Sequence, residues 1–61
     1  MLNNPLTPSQ ILTIRQKLHM TQEEFANYIG ITMSTISRWE NGHSKPTRLA
    51  TKTLLELKGR L

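Results

Sequence analysis

The chain has 61 residues, no cysteine, and a net charge of +4 from eight Lys and Arg against four acids, all of them Glu. One domain is expected; at this size folding hides only about 60% of the unfolded chain's surface, so stability is marginal, and no disulfide or thiolate metal site can add to it. No apolar run reaches the length of a signal core or a membrane span, while the basic balance points to an anionic partner, with nucleic acid first.

The opening stretch, "MLNNPLTPS", is polar and proline-containing, and residues 1–6 read as a short flexible tail on a single domain spanning 1–61. Thr7-Pro8-Ser9-Gln10 then starts a helix: Thr7 caps it, Pro8 suits the first turn, and Gln10 stands three residues after the cap, as in a capping box. Ile11, Ile14 and Leu18 follow as one apolar stripe, which predicts a first helix near 8–18. His19 falls where the chain leaves through a left-handed residue, a position usually held by Gly that His tolerates.

Thr21-Gln22-Glu23-Glu24 is a stronger start signal, because Thr21 caps, Glu24 reaches back, and two acids face the positive end of the helix dipole. Phe25, Ala26 and Ile29 give the second helix an apolar side, and Gly30 ends it, which sets its span near 22–29. Thr32 caps a third helix near 33–40, with Ile36 and Trp39 turned inward and Asn41-Gly42 as its exit. His43-Ser44-Lys45-Pro46 reads as loop. Thr47 caps a fourth helix with Ala50, Leu54, Leu57 and Leu61 on one stripe, weakened at Gly59. No segment alternates with period two, so the expected class is all-α. Beyond Asn41 the charges are Lys45, Arg48, Lys52, Lys58 and Arg60 against Glu56 alone.

Two short helices joined at Gly30 have the sequence shape of a helix-turn-helix. Ala26 supplies the small residue that lets the helices approach, and Gly30 supplies positive φ at the turn. From Thr21 to Gly42, "TQEEFANYIGITMSTISRWENG" resembles the helix-turn-helix of Cro/cI-type (XRE-like) regulators, with its TQ-E start, glycine turn, hydroxyl-rich third helix and N-G exit. "IRQKLHM" and "KPTRLATKTLLEL" resemble the family's flanks, so the likeness extends over roughly residues 9–57. It implies a small lambda-repressor-like domain of four helices, or five, with the helix-turn-helix at 22–41. His19 departs from the family's common Gly, and the chain ends about where many members begin a fifth helix.

The resemblance also implies roles. The apolar back of the third helix docks on the other helices, and its polar front enters a DNA major groove. Gln22 corresponds to a phosphate contact at the start of the second helix. Thr32, Met33, Ser34, Ser37 and Arg38 occupy the reading positions, with Arg38 long enough to hold a guanine through O6 and N7. Thr35 is expected at a phosphate or on a packed flank. Asn41, His43 and Lys45 belong to a loop that grips phosphate. Arg15 matches a family arginine that pairs with the acid at Glu40, which otherwise opposes the dipole at its helix's C-terminal end. His19 and His43 have no Cys, Asp or His at ligand spacing, so no metal is expected.

The resulting expectation is a sequence-specific regulator of double-stranded DNA, most simply a repressor, acting as a homodimer at least on DNA. The alternative is a DNA-binding antitoxin that regulates its own operon and binds a toxin. No carboxylate pair or nucleophile–base set suggests an enzyme, and no cofactor or membrane is implied. A reducing cytosol fits the absence of cysteine, and the resemblance implies a cytoplasmic setting at the nucleoid of a prokaryote or in a phage-like system.

Overall fold

The computed structural model describes residues 6–61. Four helices follow in chain order, α1 (Pro8–Lys17), α2 (Gln22–Ile29), α3 (Met33–Glu40) and α4 (Arg48–Arg60), and no strand occurs among the described residues. Each helix begins at a threonine. Thr7, Thr21, Thr32 and Thr47 all have extended backbone and accept a hydrogen bond from the N–H three residues on, and the first two sit in complete capping boxes with Gln10 and Glu24. Four caps matter in a chain this small, because each is worth about 1 kcal/mol.

The helix exits are equally specific. α1 ends one residue earlier than predicted, at Lys17, because Leu18 is the capping residue and His19 turns left-handed with φ 57°. His19 N–H then donates to Gln16 O, and Met20 N–H reaches back to Arg15 O at 3.3 Å, closing a Schellman motif. A side chain at this φ carries about 1 kcal/mol of strain that Gly would avoid. α3 ends the same way with Gly42 (φ 76°), where Gly42 N–H donates to Trp39 O and His43 N–H to Arg38 O. Gly30, at φ 85°, ends α2, and both it and Ile31 donate to Ala26 O.

The core is Leu6, Ile11, Ile14, Phe25, Ala26, Ile36, Trp39, Leu54 and Leu57, with Leu18, Met20, Ile29, Ile31 and Ala50 packed partly buried around it. α2 and α3 pack on each other most extensively, and α1 contacts both α3 and α4. Ala26, 1% exposed, lies among the residues buried between them, where a longer side chain would push the helices apart.

The expectations for two side chains need correction. Leu6, placed in the flexible tail, is 5% exposed and belongs to the core; its polar neighbours hid one apolar residue with a place to go. Residues 1–5 of that tail lie outside the described residues. Leu61, placed on the buried stripe of α4, is 47% exposed: it follows the helix as its C-cap and lines an open groove beside α1. Gly59, expected to weaken α4, lies in its last turn, and the helix stops one residue later at Arg60; a glycine there costs about 1 kcal/mol in propensity.

Candidate nucleic-acid interface

α3 has two chemically opposite sides. Ile36 and Trp39 face the core at 0% and 4% exposure. At 100° per residue, Met33, Ser34, Ser37, Arg38 and Asn41 fall within one arc on the other side. Met33, Ser34, Arg38 and Asn41 are exposed, Ser37 is half-buried, and Thr35 is half-buried on the flank between the two sides. Thr32 stands at the helix start, where its hydroxyl both accepts from Thr35 N–H and lies 3.0 Å from the Thr35 hydroxyl. These bonds occupy Thr32 and Thr35 locally, leaving Ser34 and Arg38 with their side-chain groups turned to solvent.

Ser37 and Asn41 form a unit. Asn41 Nδ2 donates to Ser37 O at 2.8 Å and to Ser37 Oγ at 3.3 Å. The side-chain amide thus adds a second donor to a carbonyl that already accepts from the Asn41 backbone N–H, tightening the C-terminal end of α3. Beyond it, His43, Ser44 and Lys45 are exposed. Among the described residues, no backbone hydrogen bond joins Ser44 or Lys45 to the rest of the chain, so within these residues no carbonyl competes with an outside acceptor for their N–H groups.

Behind this face lies a polar cluster. Arg15 Nε donates to Glu40 Oε2 at 2.7 Å and Arg15 Nη2 to Glu40 Oε1 at 3.0 Å, a bidentate pair joining α1 to the end of α3. The side chains are 17% and 7% exposed. Arg15 Nη1 also donates to Met20 O at 3.1 Å, tying the α1–α2 turn to the same guanidinium. Burial alone pushes the Glu40 carboxyl up, but hydrogen bonds from Arg15 and Gln22, with the Arg15 charge, outweigh it and hold Glu40 below its ordinary value. The hydrogen bond to Glu40 raises Arg15 in turn, so it stays charged throughout.

Because the folded Glu40 value is depressed, its contribution to stability is complete above the ordinary glutamate value of 4.5 and is lost as pH falls through the lower folded value. Thermal melts from neutral pH downward should show that acid loss, and Glu40→Gln should flatten it. An unchanged acid limb in the variant would show that Glu40 does not carry the dependence.

Gln22, expected at a phosphate, stands half-buried at the start of α2, and its Nε2 donates to Glu40 Oε1 at 3.0 Å. That bond uses one of the two amide hydrogens and fixes which way the amide faces, leaving the second hydrogen free. The sequence carried no signal for this contact, which spans 18 positions. Arg48 stands out in the sequence only as one of the basic residues beyond Asn41. It is the first residue of α4, at the positive end of that helix, where a cation is disfavoured unless an anion sits beside it.

Two adjacent short helices, a left-handed glycine between them and a polar outward face on the second make a helix-turn-helix, and residues 11–56 match the helix-turn-helix family. The chain belongs to this family. Over 45 residues the helix-turn-helix chain is also 44% identical to the type II methyltransferase M.SsoII of Shigella sonnei, a stretch that is 69% of this chain and 12% of that protein. The chain thus spans only a small part of that relative. Membership in the XRE-like helix-turn-helix group makes this a DNA-binding regulatory domain. No helix among the described residues is long and apolar enough to cross a membrane.

Proposed function

We propose that the helix-turn-helix chain is a sequence-specific transcriptional regulator that represses by occupying a short palindromic operator as a homodimer, with α3 in the major groove. The observation that carries this reading is the division of α3 into a buried apolar side and an exposed side of small hydroxyls, a methionine and one arginine. Small side chains let the helix backbone come near the base edges, Met33 suits a thymine methyl, and Arg38 suits a guanine. Gln22, Lys45, Asn41 and the N–H groups of Ser44 and Lys45 serve the phosphates, with Thr35 and His43 beside them. Arg48 joins them, because a phosphate at the start of α4 converts its unfavourable position into a favourable one. The chain's role is binding, and it acts in the cytoplasm at the nucleoid. A protein partner such as a toxin is the alternative, and exposed Tyr28, Leu49 and Leu55 are the apolar side chains it would meet.

Selecting duplexes from a random pool and sedimenting the complexes tests the reading. One helix-turn-helix reads few base pairs, so two half-sites about 34–36 Å apart and two chains per duplex are expected. Recovery of a single unrepeated site bound by one chain would overturn the dimeric operator, and recovery of no preferred sequence would overturn specificity. Lys45→Ala should weaken preferred and scrambled duplexes equally and lower the salt slope by roughly one unit. A loss confined to the preferred duplex would make Lys45 a base reader instead.

A further inference from the structure

Lys45 lies in the α3–α4 connection, whose middle is not held by backbone hydrogen bonds among the described residues. Gly42 and His43 N–H groups close α3, and Thr51 N–H donates to Thr47 O at the start of α4. Ser44 and Lys45 between them have none among the described residues. Something else must place this loop, because loose chain near a phosphate has to be ordered on binding, and that ordering weakens the grip.

The residues beside the loop come from the other end of the chain. Leu6, Pro8 and Ile11 line one groove together with Trp39, Gly42, Lys45 and Pro46. A β-carbon at Gly42 would lie 3.7 Å from Pro8 Cγ, which puts the proline ring in van der Waals reach of the loop's first residue. Leu6 is 5% exposed and Trp39 4%. Leu6 stands just before the Thr7 cap, and Ile11 four positions into α1 lines the same groove, the placement of a hydrophobic staple that fixes how the chain enters the helix; the same leucine also lines the groove that the loop borders. At the far side, Pro46 fixes its own φ and holds Lys45 in extended backbone. The loop therefore starts against Pro8, borders the groove that Leu6 and Trp39 also line, and leaves through a stiff exit at Pro46.

We infer that Leu6 is a positioning residue for DNA binding: by lining one groove with Trp39 and Pro8, it braces the Gly42–Pro46 loop and presents Lys45 and the N–H groups of Ser44 and Lys45 to phosphate. This rests on the reading of that loop as a phosphate grip. Leu6 touches no DNA itself. It lowers the disorder the loop must lose on binding, so its removal acts on affinity for any duplex and not on base choice.

The test uses the full chain and a labelled duplex of mixed sequence, at several salt concentrations and at a temperature where every variant is folded. Leu6→Ala should weaken binding about threefold to tenfold through the added ordering cost, with faster hydrogen exchange at the Gly42 and His43 amides and shifted Trp39 fluorescence. Leu57→Ala removes a leucine buried at 7% exposure on the α2–α4 side, and should lower the melting temperature while leaving affinity and loop exchange unchanged. Leu6→Met should restore binding. Leu6→Val gives the same comparison if Leu6→Ala fails to fold. Equal affinities and equal loop exchange for the Leu6 and Leu57 variants would overturn the brace while leaving the phosphate grip standing, provided Lys45→Ala weakens binding. A Lys45→Ala chain that binds as the parent does would overturn the grip, and the brace with it.

Discussion

Glu40→Ala should lower stability by about 3 kcal/mol, the low end of what breaking a buried ion pair costs, because Arg15 keeps 17% of its side-chain exposure. The mechanism is the stranded guanidinium. Arg15 would retain its bond to Met20 O, but two of its donors and one Gln22 hydrogen would lose their acceptor in a site that water enters poorly. A 61-residue domain at roughly 0.05–0.15 kcal/mol per residue has only about 3–9 kcal/mol in total, so this one change takes a third of it or all of it. Arg15→Ala should cost a similar amount, and the double variant much less than the sum. Replacing both with apolar residues of similar volume, Arg15→Met with Glu40→Leu, should return most of the loss. Denaturant titrations of the four chains supply the cycle, and additive losses would show that the two side chains are not energetically coupled. The apolar pair also separates stability from binding. Gln22 would lose the carboxylate that orients its amide, so that chain should fold well and bind DNA less tightly.

Arg38→Ala should lose about 1–3 kcal/mol on the preferred duplex and relax choice at one base pair in each half-site. Arg38 is the one basic side chain on the exposed arc of α3. A guanidinium meeting guanine O6 and N7 makes two bonds that no other base offers in the same geometry, so its contribution is selective. Ser34→Ala should shift preference more than general affinity, since a short hydroxyl adds little to the electrostatic attraction that every duplex shares. Binding to preferred and scrambled duplexes at several salt concentrations separates the two effects. Equal losses for Arg38→Ala on both duplexes would make it a phosphate clamp, and the exposed arc of α3 would lose its standing as the reading face.

The local structure was legible because its causes are local. A threonine with a Gln or Glu three residues on, a glycine or His19 at a left-handed exit, and apolar residues at helical spacing each act over one or two turns. That is why α2 and α3 fall on the predicted residues. The misjudged ends, Leu6 and Leu61, are the places where burial depends on whether another element is present to cover the side chain. No periodicity in a single segment contains that information.

The sequence by itself determined four capped helices, the turn at Gly30 and the polar front of α3, all of them consequences of backbone sterics, hydrogen-bonding side chains and the 3.6-residue period. The tertiary structure decided what those helices hold in place. It brought Gln22 and Arg15 to Glu40 across 18 and 25 positions, so that one carboxylate links three elements. It also made Leu6 and Trp39 walls of one groove with the loop that carries Lys45. Such contacts are fixed by the angles at which helices pack, and those angles follow from how all the buried side chains fill one core together, a condition that no single stretch of the chain expresses.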